Sequence, residues 1–263
     1  MRLYYEERGA GAPVVLVPGF GAGMWIWYRQ APALARRFRV ISFDPRGVSR
    51  SAGAGAGDGL STRLLADDVA ALLDELGVRD AHVLGGSFGG FVAQEFALAY
   101  PGRTRSLVLC CTSSGGAGHR PPRPETLDAI ASTKGLNTQE RVRQNLLLAF
   151  SPRFAAAEPD EVERVVRLRD ENHVPEAVYL AQLRAAVGFD ASARAALVRA
   201  PTLVITGDAD DIVPHENSRY LAALIPGARL RVVAGGSHAF FIERHEEFNR
   251  AVAEFIEEVE SRH

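Results

Sequence analysis

The sequence contains little cysteine and almost no lysine. Its two cysteines, Cys110 and Cys111, are neighbours in the chain, so they cannot staple a disulfide framework. We interpret them as reduced thiols in a buried strand, which indicates a reducing compartment. Lys134 is the only lysine. We attribute the near-complete use of arginine to genomic composition bias rather than to function.

The sequence also lacks a strong net charge, a signal peptide and an uninterrupted apolar run. A formal net charge of −2 gives no reason to expect nucleic acid or an anionic membrane as a partner. Residues 1–8 lack the apolar core of a signal peptide. Residues 9–28 carry no charge, but their five glycines and two prolines argue against a membrane span. We therefore expect a soluble cytoplasmic protein whose partner is a small molecule.

Motifs for cofactors and metals are missing as well. Residues 19–24 have the first two glycines of the dinucleotide-binding pattern G-x-G-x-x-G, but Met24 stands in place of the last one. No glycine run is followed by the G-K-[ST] of a phosphate-binding loop. No pair of histidines has the spacing of metal ligands. We expect neither a cofactor nor a metal.

What the sequence does have is enough apolar residues for a large core. Of its 263 residues, 47% are hydrophobic and 24% are charged, which suits one α/β domain with an insertion. Apolar runs alternate with helical segments, as in a parallel sheet covered on both faces. The predicted strands are residues 3–7, 13–17, 38–43, 81–84, 106–111, 202–206 and 229–233. The predicted core helices are residues 61–76, 91–100 and 246–259, and a glycine-rich loop spans residues 51–59.

Strand signals are absent between about His119 and Val198. Prolines separate four helical stretches in this section, at residues 138–149, 160–171, 176–187 and 191–198. We predict a mostly helical cap insertion, residues 119–198, that lies over the sheet. The core domain then consists of residues 1–118 and 199–263.

Residues 85–90 give the main indication of function. The run Gly85-Gly86-Ser87-Phe88-Gly89-Gly90 contains the pattern G-x-S-x-G, between a predicted strand and a predicted helix. Gly85 and Gly89 give the backbone room for a tight turn between them. The turn exposes the Ser87 hydroxyl beside the free N–H groups of a helix N-terminus, which is a setting for a nucleophile. This pattern alone leaves open a plain glycine-rich turn.

Two apolar runs after the insertion end in polar loops. The first run is followed by Asp208, Asp210 and Asp211, and the second by His238. Because parallel strands share one direction, both loops leave the sheet at the edge where Ser87 lies. The chain order of serine, aspartate and histidine is one of the known orders of a catalytic triad.

The chemistry of acyl transfer needs these three residue types. A serine hydroxyl is a poor nucleophile until a neutral imidazole takes its proton, and a carboxylate holds that imidazole in the correct tautomer. The other histidines open a strand, lie in the insertion, follow Pro214, begin a surface helix or end the chain. His238 is therefore the candidate base.

Taken together, these motifs resemble the α/β-hydrolase superfamily over nearly the whole chain. The resemblance implies a mostly parallel sheet of seven or eight strands flanked by helices, with a helical cap insertion. Residues 44–47, followed by Ser51, are similar to the family's structural turn. The implied triad is Ser87, Asp210 and His238, and the implied oxyanion hole is formed by the N–H groups of Phe20 and Phe88. The family often has histidine where Pro18 stands here, and the first strand is unusually short.

The resemblance is to small bacterial esterases and lactonases of the 3-oxoadipate enol-lactonase type. Serine at position 87 argues against the dehalogenase and epoxide hydrolase branches, which attack through aspartate. We rank hydrolysis of a small, largely apolar ester or lactone first. Carbon–carbon bond hydrolysis, haloperoxidase-like perhydrolysis and acyl transfer stay open, as does a non-catalytic ligand receptor on the same scaffold.

The pocket is expected to be apolar. Met24, Trp25 and Phe240 are predicted to contact the substrate, beside Phe20 and Phe88. Ordinary core packing is an equally good interpretation of Trp25, Trp27 and Phe241.

Overall fold

The core of the molecule is a seven-stranded sheet. A computed structural model describes residues 2–52, 59–131 and 135–262. Within them the strands follow the order β1-β3-β2-β4-β5-β6-β7 across the sheet. Their bounds are β1 (Tyr5–Arg8), β2 (Pro13–Val17), β3 (Arg39–Phe43), β4 (Ala81–Gly86), β5 (Thr104–Cys110), β6 (Thr202–Gly207) and β7 (Arg229–Val233). The predicted range of seven or eight strands thus resolves to seven in this part of the chain.

Strand direction brings the ends of the central strands to one edge of the sheet. All pairings from β3 through β7 are parallel, and only β1 runs antiparallel, against β3. The strands β4 and β6 are buried along their whole length, which explains their continuous apolar runs. Since β4, β6 and β7 all run the same way, the residues that follow them meet at their carboxyl ends.

Helices cover both faces of the sheet. Eleven α-helices lie in the described residues: α1 (Ala31–Leu34), α2 (Thr62–Glu75), α3 (Phe88–Ala99), α4 (Pro124–Ala131), α5 (Thr138–Leu148), α6 (Pro152–Ala157), α7 (Pro159–Glu171), α8 (Glu176–Val187), α9 (His215–Leu224), α10 (Phe240–Glu243) and α11 (His245–Glu260). Buried residues of α2, α3 and α9 pack together with Val15 of β2, whereas those of α1, α10 and α11 pack on the other face with Val14. Alternate residues of a strand point to opposite faces, so one apolar strand serves two helix layers. No helix in the described ranges is both long and apolar enough to span a membrane.

The section between His119 and Val198 is helical where the structure describes it. Helices α5, α7 and α8 match three of the predicted stretches within a residue or two, and the fourth is only a 3₁₀ turn at Ala195–Leu197. Helices α4 and α6 were not predicted. The division into core domain and cap insertion stays a prediction. Most of the predicted glycine-rich loop, residues 53–58, lies outside the described residues.

Candidate active site

Ser87 lies in a strained turn between β4 and α3. Its backbone has φ 53° and ψ −120°, a conformation that residues other than glycine rarely adopt. A Cβ at Gly85 would lie 2.3 Å from the carbonyl oxygen of Gly89, and one at Gly89 would lie 2.3 Å from that of Val17. Only glycine fits at these two positions, so the two glycines permit the close approach that turns Ser87 outward.

His238 and Asp210 form a buried pair at the same edge of the sheet. The Nδ1 atom of His238 lies 2.8 Å from Oδ2 of Asp210. The other carboxylate oxygen, Oδ1, accepts hydrogen bonds from the N–H groups of Ile212 and Val213, at 2.9 and 2.8 Å. These bonds fix the carboxylate, which in turn orients the imidazole and leaves its Nε2 atom for the cavity.

The charge of Asp210 changes the protonation of His238. Burial lowers the pKa of His238, but the adjacent carboxylate outweighs this effect and raises the pKa to about 9. The pair therefore stabilises the imidazolium, which is the form that a general base takes after it accepts a proton.

Asp211 and the other histidines are placed elsewhere. Asp211 is exposed, and its carboxylate lies 3.8 Å from the side chain of Arg123. His82 is buried between Ser106 and Glu260. In the described part of the chain, His238 is the only histidine that lines the cavity on whose wall Ser87 also lies.

Ser87, His238, Phe20 and Phe88 all line one cavity of about 370 Å³. The Oγ atom of Ser87 makes no hydrogen bond with a described residue. Ser87 and His238 therefore line the same cavity but are not hydrogen-bonded to each other. The N–H groups of Phe20 and Phe88 also lack a protein acceptor in the described ranges. Phe88 is the first residue of α3, where a helix has free N–H donors. Two free donors thus flank the serine.

The cavity wall is mostly apolar. Trp25, Trp27 and Phe241 line it and also belong to a buried apolar cluster of the core. Core packing therefore does not exclude a position in the cavity wall, and contact with the substrate stays a prediction. The predicted contacts of Met24 and Phe240 need correction, because neither residue lines the cavity.

Local contacts explain these two misplacements. The N–H of Met24 donates to the buried carboxylate of Asp44 at 2.9 Å, and its sulfur accepts a bond from Arg50 at 3.4 Å. Phe240 is fully buried, with its ring centroid 5.7 Å from that of Phe248 in α11. Short helical turns send neighbouring residues in different directions, so Trp25 lines the cavity instead of Met24.

Two further residues near the site were not anticipated from the sequence. Arg169 of α7 lines the cavity, and its burial could have been predicted, since it follows Val162, Val165 and Val166 at helical spacing. Cys111 has a positive φ of 42°, and its sulfur lies within 4.8 Å of ligand-type atoms of Asp210 and His238. Burial raises the pKa of this thiol well above its usual value, and a protonated thiol is a poor metal ligand.

A sheet of this order, with a serine on a strand-to-helix turn and a histidine–aspartate pair beside it, defines a class of enzymes. Residues 12–245 match the family model of the α/β hydrolase fold. The chain belongs to the α/β-hydrolase family and is an enzyme of that family.

Several relatives match the chain over nearly its whole length. RutD of Azorhizobium caulinodans, whose name describes a carbamate hydrolase, is 35% identical over 98% of this chain and 96% of RutD. A Pseudomonas putida hydrolase of 2-hydroxy-6-oxononadienedioate and 2-hydroxy-6-oxononatrienedioate is 31% identical over 98% of this chain and 92% of its own. The solved enol-lactonase of Burkholderia xenovorans LB400 is 27% identical, with a TM-score of 0.83, over 97% of this chain and 96% of the lactonase.

Proposed function

We propose that this protein is a serine hydrolase that cleaves a small, largely apolar carboxylic ester or lactone. Ser87 is its nucleophile, His238 its general base and Asp210 the carboxylate that orients the base. The observation that carries this proposal is the strained turn of Ser87 on the wall of a cavity that is also lined by His238, whose imidazole is paired with Asp210. Backbone strain at a cavity wall is typical of functional sites.

The first half of the proposed reaction forms an acyl-enzyme. Ser87 Oγ attacks the substrate carbonyl carbon while Nε2 of His238 takes the hydroxyl proton. The free N–H groups of Phe20 and Phe88 stabilise the negative charge on the carbonyl oxygen. As the carbon–oxygen bond to the alcohol breaks, His238 returns the proton to the leaving oxygen.

The second half releases the acid. A water molecule gives a proton to His238 and attacks the acyl carbon, and the Ser87 oxygen leaves with the proton that His238 returns. The same groups act in both halves, so one buried carboxylate serves two proton transfers.

We also propose that residues 119–198 act as a cap that selects the substrate. Val142 of α5, Arg169 of α7 and Tyr179 of α8 line the same cavity as Ser87. Helices that contribute walls without contributing the triad are suited to selecting substrates. A cytoplasmic location belongs to the same proposal, because the adjacent thiols of Cys110 and Cys111 are free.

The relatives support a choice among neighbouring reactions. An enol-lactonase structure supports lactone hydrolysis, whereas the Pseudomonas putida enzyme supports carbon–carbon bond hydrolysis on the same triad. An ester leaving group needs no prior rearrangement of the substrate, so we rank the ester or lactone first. Haloperoxidase-like perhydrolysis and a non-catalytic ligand receptor rank below both hydrolytic reactions.

A substrate panel tests the proposal directly. Turnover of p-nitrophenyl esters and small lactones is compared between the natural protein and Ser87→Ala. We expect the variant to lose hydrolysis and fluorophosphonate labelling by more than about 10³-fold, because the nucleophile is gone. Burst release of p-nitrophenol separates an enzyme from a receptor. Labelling that persists in Ser87→Ala would place the nucleophile elsewhere.

A further inference from the structure

Arg169 is a buried cation that forms no ion pair with any residue the structure describes. Only 3% of the residue is exposed, and it is the one arginine in the described ranges that falls in the buried class. Its Nη1 atom donates to the carbonyl oxygen of Asn172 at 3.0 Å. The Nε and Nη2 atoms have no hydrogen-bond partner among the described residues. Two donors of a buried guanidinium are therefore left unused.

Other partly buried arginines of this protein are paired. Arg46 forms an ion pair with Asp68, and Arg29 forms one with Glu161 at 2.6 Å. Asp170, next to Arg169 in the chain, is turned to the surface and lies 3.2 Å from Arg143. A buried charge is costly unless a counter-charge and hydrogen bonds compensate it. Arg169 stands out because it forms no ion pair with a described carboxylate, and burial lowers its pKa even though the charge of nearby Asp170 opposes that shift.

The position of Arg169 points to where the counter-charge comes from. It lines the cavity that holds Ser87 and His238, and no aspartate or glutamate of the described residues lines that cavity. The ring of Phe20 lies 6.2 Å from that of Phe88 and 4.8 Å from that of Tyr179, centroid to centroid. Burial raises the pKa of Tyr179, and the charge of Arg169 opposes that rise. Ser87, Tyr179 and Arg169 thus share one cavity, in which the charge of the guanidinium is felt.

We propose that the substrate carries a carboxylate, remote from its scissile carbonyl, that binds Arg169 inside the cavity. This inference rests on the proposed hydrolase function and narrows its substrate class to anionic esters or lactones. A guanidinium offers a planar fork of N–H donors that matches the two oxygens of a carboxylate. In a mostly apolar cavity this pairing is stronger than in water. The carboxylate would supply the counter-charge for this guanidinium, whose Nε and Nη2 donors have no partner among the described residues.

Paired substrates that differ only in charge test the proposal. One pair consists of p-nitrophenyl esters of a six-carbon acid that ends in either a carboxylate or a carboxamide. A second pair places the same two groups on the alcohol. We expect kcat/KM of the natural protein to favour the carboxylate by about 10- to 100-fold in at least one pair, the range for hydrogen bonds to a charged group. Equal values in both pairs would overturn the proposal.

Variants of α7 assign the preference to one side chain. In Arg169→Met the ratio of the two kcat/KM values should fall to about one, and Arg169→Lys should keep part of it. Arg167→Met is the matched control, since Arg167 is an exposed arginine on the same helix, and it should keep the natural ratio. A ratio unchanged in Arg169→Met would show a merely structural role.

Failure of this inference is distinguishable from failure of the proposed function. If Ser87-dependent hydrolysis of the neutral carboxamide esters occurs without any preference for charge, only the assignment to Arg169 falls. If neither member of either pair is hydrolysed, both proposals fall. The ratio in the natural protein needs no variant, so a variant that does not fold leaves the test intact.

Discussion

At the scale of single residues, two adjacent aspartates lie in opposite environments. Asp210 is buried against His238, while Asp211 is exposed and faces Arg123. Successive residues of an extended loop point in roughly opposite directions, so only one carboxylate reaches the imidazole. The family pattern selects the same residue, because Asp210 lies three residues after Gly207 and four before Pro214.

This difference predicts unequal effects of two conservative variants. Asp210→Asn should reduce turnover of an activated ester by something approaching ~10⁴-fold, because His238 is then held in the wrong tautomer. Asp211→Asn removes the same charge from the neighbouring position and serves as the control, with a loss of less than about tenfold expected for a surface residue. Circular dichroism confirms that both variants fold. A larger loss from Asp211→Asn would contradict the assignment.

The pH dependence of kcat/KM is a second test of the pairing between His238 and Asp210. His238 must be neutral to accept a proton, and Asp210 raises its pKa above the usual 6.5 to about 9. The kcat/KM of the natural protein should therefore rise with pH through this interval. In Asp210→Asn no carboxylate opposes the effect of burial, which lowers the pKa of His238. The residual activity should therefore increase with pH already below pH 6.5. An unchanged acid limb would contradict the pairing.

At the scale of elements, the turn between β4 and α3 depends on contact with the end of β2. A methyl group at position 89 would lie 2.3 and 2.5 Å from the carbonyl oxygens of Val17 and Pro18. It would push the serine turn away from the loop that carries Phe20. The close approach of β4, α3 and the loop that carries Phe20 therefore requires a glycine at position 89.

Gly89→Ala tests this dependence. We expect it to lower the free energy of unfolding by about 1–3 kcal/mol, the cost of overpacking, and to reduce kcat by separating the two N–H donors. Gly102→Ala is the matched control, since no heavy atom lies within 4 Å of the added Cβ. Urea unfolding and ester turnover of both variants provide the measurements. A Gly89→Ala protein as stable and active as the control would show that the contact is dispensable.

The elements also show what the sequence could and could not predict. Strands β2, β4, β6 and β7 follow from apolar runs, and α2 begins after Ser61, whose side chain accepts a bond from the N–H of Leu64 at 3.1 Å. Short helices such as α1 and α10 were missed because a single turn has no periodicity to detect. The helical spacing of Arg169 after Val162, Val165 and Val166 indicates its burial, but its position in the cavity wall depends on residues from distant parts of the chain and could not be predicted.

At the scale of the whole molecule, a histidine outside the cavity wall makes the free energy of unfolding depend on pH. His82 is fully buried in β4, with Nδ1 2.7 Å from Ser106 Oγ and Nε2 3.0 Å from Glu260 Oε1. Burial lowers its pKa to about 4, although the charge of Glu260 opposes the shift. The unfolded chain, with a histidine pKa of about 6.5, binds more protons than the folded one between these values.

The free energy of unfolding should consequently fall as the pH is lowered from 6.5, by about 3 kcal/mol at pH 4 from this group. His82→Gln should flatten that dependence, because glutamine does not titrate. His173→Gln, a change in the cap section, should leave it as it is. Urea unfolding between pH 4 and pH 7 measures all three proteins. Parallel curves for the natural protein and His82→Gln would contradict the prediction.

The order of the strands also bears on when activity is acquired and lost. His238 follows the carboxyl end of β7, which is largely half-buried and which, among the described residues, lies at the edge of the sheet and pairs with β6 alone. Edge elements with few buried contacts open with less free energy than a central strand does. Undocking of β7 would displace the base while Ser87 remains in place on β4. Synthesis from the N-terminus delivers the serine 151 residues before the histidine. On the proposed mechanism, a growing chain therefore carries Ser87 without its base until β7 joins the sheet.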